Sequence, residues 1–255
     1  MDCEFILKTT TLAGKILLES CAEISRVEDT ISRMCEAYNM NNVNAYVTPS
    51  GIFVSVDYEG KTYSRVVRVK GKQLSLDKIH QVNAISRKAT ASYVPVEKVF
   101  EELTHIDTNP TYSKIQKYIA CGIIGSCFTL FFGGNIIDAI NAFFIGVLVM
   151  VVQLYLDENK INDMIKTMVL SGLVTLLSLI VVYIGFAQHK DPMIAGNIMQ
   201  LLPGLSMTNA IRDMMSGDLL SGMIRICDVA FTAIGLALGT VIVLGLWMSF
   251  IGGVA

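Results

Sequence analysis

Charge is scarce in this sequence. Only 16% of its 255 residues are charged, and 20 Lys and Arg against 22 Asp and Glu leave a net charge of −2. With no basic stripe, nucleic acid is excluded as a partner. Histidine is rare, at three residues (His80, His105, His189) that are scattered and read as surface groups. The six cysteines (Cys3, Cys21, Cys35, Cys121, Cys127, Cys227) form no CxxC and have no histidine at metal-ligand spacing. They read as reduced packing residues, so no metal and no cofactor are expected. GxSxG, HExxH and the P-loop are missing too. The carboxylates Glu23, Glu28 and Asp29 have no nucleophile beside them, so an enzyme is not expected. The opening MDCEFILKTT lacks a basic stretch followed by an apolar one. No signal peptide is read there, and the N-terminal part is expected in the cytoplasm.

What is abundant is apolar: 53% of residues are hydrophobic and the mean hydropathy is +0.54. The charges are unevenly placed, with 29 of the 42 lying before residue 118. This divides the chain into a water-soluble α+β domain over 1–112 and a helical membrane domain over 113–255. In the first, LKTTTLAGKILLESCAEI reads as a helix. A second starts near Ser25, with Val27, Ile31, Met34 and Tyr38 on one face and Arg26, Asp29, Arg33 and Glu36 on the other. Ser25 is the expected N-cap, with Glu28 its capping-box partner. The period then changes to that of strands over 43–48, 52–57 and 61–69, separated by Pro49-Ser50-Gly51 and Glu59-Gly60. Helices are expected over 76–91 and from Val96, with Thr108-Asn109-Pro110 closing the domain.

Five apolar segments follow, over about 118–134, 139–156, 167–187, 193–215 and 226–251. About 20 helical residues cross about 30 Å of hydrocarbon, so about five transmembrane helices are expected. Counting Lys114, Lys117, Lys160, Lys166, Arg212 and Arg225 on one side and Lys190 on the other puts the N-terminus in the cytoplasm and the C-terminus outside. Asp138, in the first outer turn, reads as a solvated loop residue.

The fourth segment is unusual: it contains QLLPGLSMTNAIRD. Pro203 lacks an N–H and clashes with the preceding turn, so the helix breaks at Pro203-Gly204. Beyond the break, Thr208, Asn209, Arg212 and Asp213 fall within an arc of about 140° at 100° per residue. Such a stripe should face protein or water rather than lipid. Broken helices of this kind build substrate and ion sites in secondary transporters. Asn197 and Gln200, on the other half-helix, can contribute from the same side. The bland readings are a structural kink, and an Arg212 that anchors a helix end beside Asp213.

Four stretches resemble the threonine/serine exporter family: Ala22–Thr30 followed by Arg33, KIHQVNAISRK (78–88), FFGGNIIDAINAF (131–143) and LLPGLSMTNAIRDMMSGDLLSG (201–222). The resemblance runs in order over nearly the whole chain. It implies a bacterial plasma-membrane exporter of small amino acids, or of dicarboxylates such as succinate, driven by protons. The layout is similar to the larger, YjjP-like component of the split kind, which implies a second small multi-span membrane subunit, with self-association left open. By position it implies a membrane motif of Pro203, Gly204, Asn209, Arg212 and Asp213, and a cytoplasmic motif of Glu23, Arg26, Glu28 and Asp29. In that frame Arg212 attracts a carboxylate, Thr208 and Asn209 hydrogen-bond the substrate, and Asp213 is the proton-carrying candidate. Glu23 is either a gate contact to the membrane part or a partner of Arg26. The competing reading is a non-transporting membrane scaffold or sensor with a cytoplasmic binding domain.

Overall fold

The computed structural model describes residues 2–71, 74–109, 111–159 and 161–251. Lys160, counted above for orientation, Pro110, at the expected domain end, and the C-terminal Ala255 lie outside the described residues. The chain forms two compact units: Met1–Thr111 with Leu205–Ile226, and Tyr112–Gly204 with Cys227–Ala255.

In the first unit, helix α1 (Cys3–Glu19) is capped by Asp2, whose side chain accepts the Glu4 N–H. It is buried nearly all round, including Ile6, Leu7, Ile16, Leu17 and Leu18. Its threonines survive burial because their hydroxyls bond to carbonyls one turn back, as Thr9 does to Phe5 O at 2.9 Å. Helix α2 (Ile24–Ala37) buries the predicted face of Val27, Ile31, Met34 and, at its C-cap, Tyr38. Gly14 lets α1 approach it closely; a Cβ there would lie 2.5 Å from Ile31 Cδ1.

Strands β1 (Asn41–Thr48), β2 (Gly51–Tyr58) and β3 (Lys61–Arg68) form an antiparallel meander in that order. Alternation sends Ile52, Val54 and Val56 into the core and leaves Phe53 exposed on the other face. Helices α3 (Leu76–Ala91), capped by Ser75, and α4 (Val96–Thr108) complete the core.

One expected cap is corrected. Ser25 lies inside α2, whose N-cap position is Glu23 and has no side-chain cap of its own. Glu28 makes no capping box; its carboxylate accepts the Val47 N–H at 2.8 Å and ties α2 to β1.

In the second unit, α5 (Lys114–Phe131) and α6 (Ile136–Glu158) each start with a complete capping box, Ser113/Gln116 and Asn135/Asp138. Helix α7 (Asp163–Tyr183) is followed by α8 (Lys190–Ile198), a 3₁₀ turn (Met199–Leu201) and an extended Leu202. Pro203 then interrupts the chain; α9 (Gly204–Met215) belongs, beyond its first residue, to the first unit, and α10 (Leu219–Ile251) belongs to the second from Cys227 on. Ala142, Ile145, Val149, Leu170, Val174 and Met193 fill this unit's core. Among the described residues, three helices are long and apolar enough to cross a membrane: α6, α7 and α10. The fourth expected span is instead two helices of nine and 12 residues, each too short alone. Helix α5 opens with Lys114 and Lys117 and does not reach the required apolarity.

Candidate functional site

The polar face of α9 and the cytoplasmic motif meet inside the first unit. The chain leaves α1 through Cys21, whose φ of 67° is left-handed and costs a non-glycine residue free energy. The turn around it is held from a distant part of the sequence. Asn209 Nδ2 donates to Cys21 O at 2.8 Å, and an Arg225 guanidinium N–H donates to Ala22 O at 2.7 Å. The first free N–H of α2, that of Ile24, donates to Asp213 Oδ1 at 3.1 Å. Asp213 therefore serves as the cap that Glu23 does not provide, a carboxylate at the positive end of a helix dipole. Arg225 Nε lies 3.0 Å from the other Asp213 oxygen, and both side chains are almost fully buried.

Around this knot the remaining motif residues are more exposed. Glu23 contacts both Arg212 and, at 3.4 Å, Arg26. Glu23 is thus a partner of Arg26, and also of Arg212, which belongs to the same unit. Asp29 pairs with Arg33 at 2.7 Å on the exposed face of α2. Thr208 is exposed. Burial pushes the Glu28 carboxyl above its ordinary range, against the lowering effect of the Val47 N–H. Arg225 is the residue missed by sequence reasoning. Its signal was an unexplained arginine at the start of the most apolar run, a place where charge is normally paired.

A second cluster lies wholly in the second unit, where α8 crosses α5 and α6. Asn197 is completely buried. Its Nδ2 donates to Met193 O at 3.1 Å, while its Oδ1 has no partner. Both amide atoms of Gln200, one turn on, are also buried without a partner. Small residues create the space: a Cβ at Gly146 would sit 3.1 Å from Asn197 Oδ1, and one at Gly125 would overlap it. Gly196 packs against α5 so tightly that a Cβ would lie 2.6 Å from the Thr129 backbone nitrogen. A buried carboxamide left unpaired costs about 1–3 kcal/mol, so these groups point to a ligand or water. Pro203 and Gly204 end this segment. The expected single site is therefore two clusters, Asn197 and Gln200 in one unit and Asn209, Arg212 and Asp213 in the other.

Two sequence expectations, for Asp138 and His189, need correction. Asp138 is not solvated; it is fully buried. It accepts the backbone N–H groups of Asn135, Gln188 and His189 at 3.0, 2.8 and 3.2 Å. His189 is not isolated; its Nδ1 lies 2.8 Å from Asp138 Oδ2. The capping-box pattern of Asn135 and Asp138 was visible in the sequence, but the partner turn 50 residues on was not.

A family model described as "Putative threonine/serine exporter" matches residues 8–247. The chain belongs to the threonine/serine exporter family. It is 20% identical over 235 residues to "Probable succinate transporter subunit YjjP" of Klebsiella aerogenes, covering 91% of this chain and 90% of that one. The Escherichia coli protein of the same description is 21% identical over 238 residues, covering 92% and 91%. "Probable threonine/serine exporter" of Mycobacterium tuberculosis is 20% identical over 244 residues, which is 93% of this chain but 45% of that longer protein. No solved structure matches the chain. Membership of this exporter family agrees with the three long apolar helices and makes the chain a membrane transport protein. Its relatives carry transporter names, and two are described as subunits. All four stretches that carried the resemblance lie within the matched residues.

Proposed function

We propose that this chain is the larger membrane component of a secondary exporter of small amino or carboxylic acids, proton-driven and paired with a second small membrane subunit in the plasma membrane. The observation that carries the reading is the break after α8, with the buried, unpartnered amides of Asn197 and Gln200 beside it. Neutral amides suit the carboxylate, hydroxyl and ammonium groups of threonine, serine or succinate, because a carboxamide both donates and accepts. Gly125 and Gly146 let the Asn197 amide sit against α5 and α6, where any side chain would collide with it or with a backbone carbonyl. In this reading the α9 knot is a cytoplasmic gate: Arg212 and Glu23 are its exposed clasp, and Asp213 with Arg225 its buried hinge.

The test is export of labelled threonine, serine and succinate from cells carrying the chain with its neighbouring-gene partner, each alone, or neither. Export of one of them that needs the chain, and that falls at least tenfold in Asn197→Ala, supports the proposal. No difference for any of the three sinks it.

The scaffold or sensor reading draws on a separate observation. Asn209, Arg212 and Asp213 all find partners within the first unit, as structural residues would. Arg212→Ala separates the two: a scaffold keeps its partner binding and has no flux to lose, while an exporter loses control of flux.

A further inference from the structure

We infer that His189 and Asp138 form the proton-accepting pair of the second unit, with His189 Nε2 taking up and releasing the coupled proton. The inference rests on the exporter reading above and deepens it, since that reading needs a titratable group in the membrane unit. Candidates there are few. Among the described residues, Asp138 is the one fully buried carboxylate of this unit. Asp157, Asp163 and Glu158 are held by Lys166 and Lys114 at its other end. Asp213, the candidate from sequence, belongs to the first unit, where it caps α2.

The chemistry of the pair follows from its donors. Three backbone N–H groups donate to Asp138, and the His189 ring Nδ1 lies beside it at 2.8 Å. That environment suits an ionised carboxylate, which only accepts. The His189 Nδ1 must then carry the hydrogen that faces Asp138, which leaves Nε2 as the site for a second proton. The Asp138 side chain is completely buried and that of His189 is 52% exposed, so the proton exchanges with water while its counter-charge stays inside. The charged residues next in the chain are Lys190 and Asp191, which open α8. The turn before α6 contributes the neutral Asn135, bonded to Gln188 at 2.8 Å.

The consequence is mechanical. His189 occupies the N-cap position of α8, and Asn197 lies eight residues further on, about 12 Å along the same helix. Protonation converts a hydrogen bond from a neutral imidazole to the carboxylate into an ion pair and tightens the hold of Asp138 on the turn before α8. Loss of the proton from Nε2 to water loosens it. Only the proton moves; no other bond is made or broken. The proton's presence thus biases the position of the helix that carries the unpartnered amides.

The test uses the full chain with its second subunit in lipid vesicles and labelled succinate and threonine as probes. Two modes are compared: accumulation driven by a pH gradient, and exchange between labelled and unlabelled substrate without a gradient. His189→Gln keeps a donor at a half-exposed position; should it fail to insert, His189→Asn replaces it. The expected result is a loss of at least tenfold in gradient-driven accumulation, with exchange kept within twofold. The native complex should also show a pH dependence of driven accumulation that the variant lacks. Equal loss of both modes, or full driven accumulation by the variant, overturns the assignment. So does a native complex that exchanges substrate but ignores the gradient. A native complex that does neither overturns the exporter reading as well.

Discussion

At the scale of single residues, the most informative side chain is Asp213. It performs two tasks at once, capping Ile24 and balancing Arg225. Removing one member of a buried pair strands the other, at a cost of roughly 3 kcal/mol. Asp213→Ala should therefore lower stability by about that amount, seen as a fall in the thermal unfolding temperature in detergent. Asp213→Asn keeps an acceptor for Ile24 and should cost less. In contrast, Arg212 is half exposed, and Arg212→Ala should cost under about 1 kcal/mol. Equal costs for Asp213→Ala and Arg212→Ala would show that the knot is not built as described.

Glu28 gives a pH prediction at the same scale. Its carboxyl is raised by burial, so the folded chain holds that proton more firmly than the unfolded one. The stability it contributes is full below the ordinary carboxylate range and is lost as pH rises through the raised value. Glu28→Gln retains an acceptor for the Val47 N–H and carries no charge. It should gain stability relative to the native chain between pH 4 and 7. A native profile that instead improves over that range relative to Glu28→Gln would reverse the sign and refute the account.

At the scale of elements, close helix packing depends on particular glycines. On α10, a Cβ at Gly239 would overlap the Met168 carbonyl and the Ser171 hydroxyl of α7, while one at Gly245 meets nothing within 4 Å. Overpacking against backbone costs about 1–3 kcal/mol. Gly239→Ala should thus destabilise the chain by that much. Gly245→Ala should be neutral or slightly stabilising, because alanine favours the helix. Comparing the two unfolding temperatures checks the α7–α10 contact directly.

Elements were also where the sequence was easiest to read. The period-2 alternation of Ile52, Val54 and Val56 and the i, i+4, i+7 spacing of Val27, Ile31 and Met34 are local properties, and they located β2 and α2 to within a residue or two. Pro203 located the break for the same reason, since the missing N–H acts on its own turn. What could not be read was any partner distant in sequence. Ser25 looked like the cap of α2 because the real cap, Asp213, lies 189 residues away. Asp138 looked solvated because the Gln188–His189 turn that buries it is 50 residues away. Segment four reads as one broken span because that keeps Arg212 and Arg225 on the lysine-rich side, although its second half packs within the first unit.

At the scale of the whole molecule, the ion pairs of the second unit argue for its orientation. Lys114 meets Glu158 at 3.1 Å and Lys166 meets Asp157 at 2.7 Å. The start of α5, the end of α6 and the start of α7 therefore share one end of that unit. The turns before α6 and before α8 share the opposite end, joined through Asp138 and His189. Lysine collects at the first end, which the positive-inside rule assigns to the cytoplasm. Helix α10 has 33 residues, about 50 Å, against about 30 Å of hydrocarbon. Its first turns, including Arg225, can thus lie outside the lipid with the first unit. The expected topology has the N-terminal unit and the α6–α7 turn inside, and the His189 turn and the C-terminal end of α10 outside. Alkaline phosphatase, active only when exported, should work when fused after residue 251 and fail when fused after residue 159. Fluorescent protein fusions should give the reverse pattern. Phosphatase activity at the α6–α7 turn would invert the unit and place His189 on the cytoplasmic side, changing the direction from which its proton arrives.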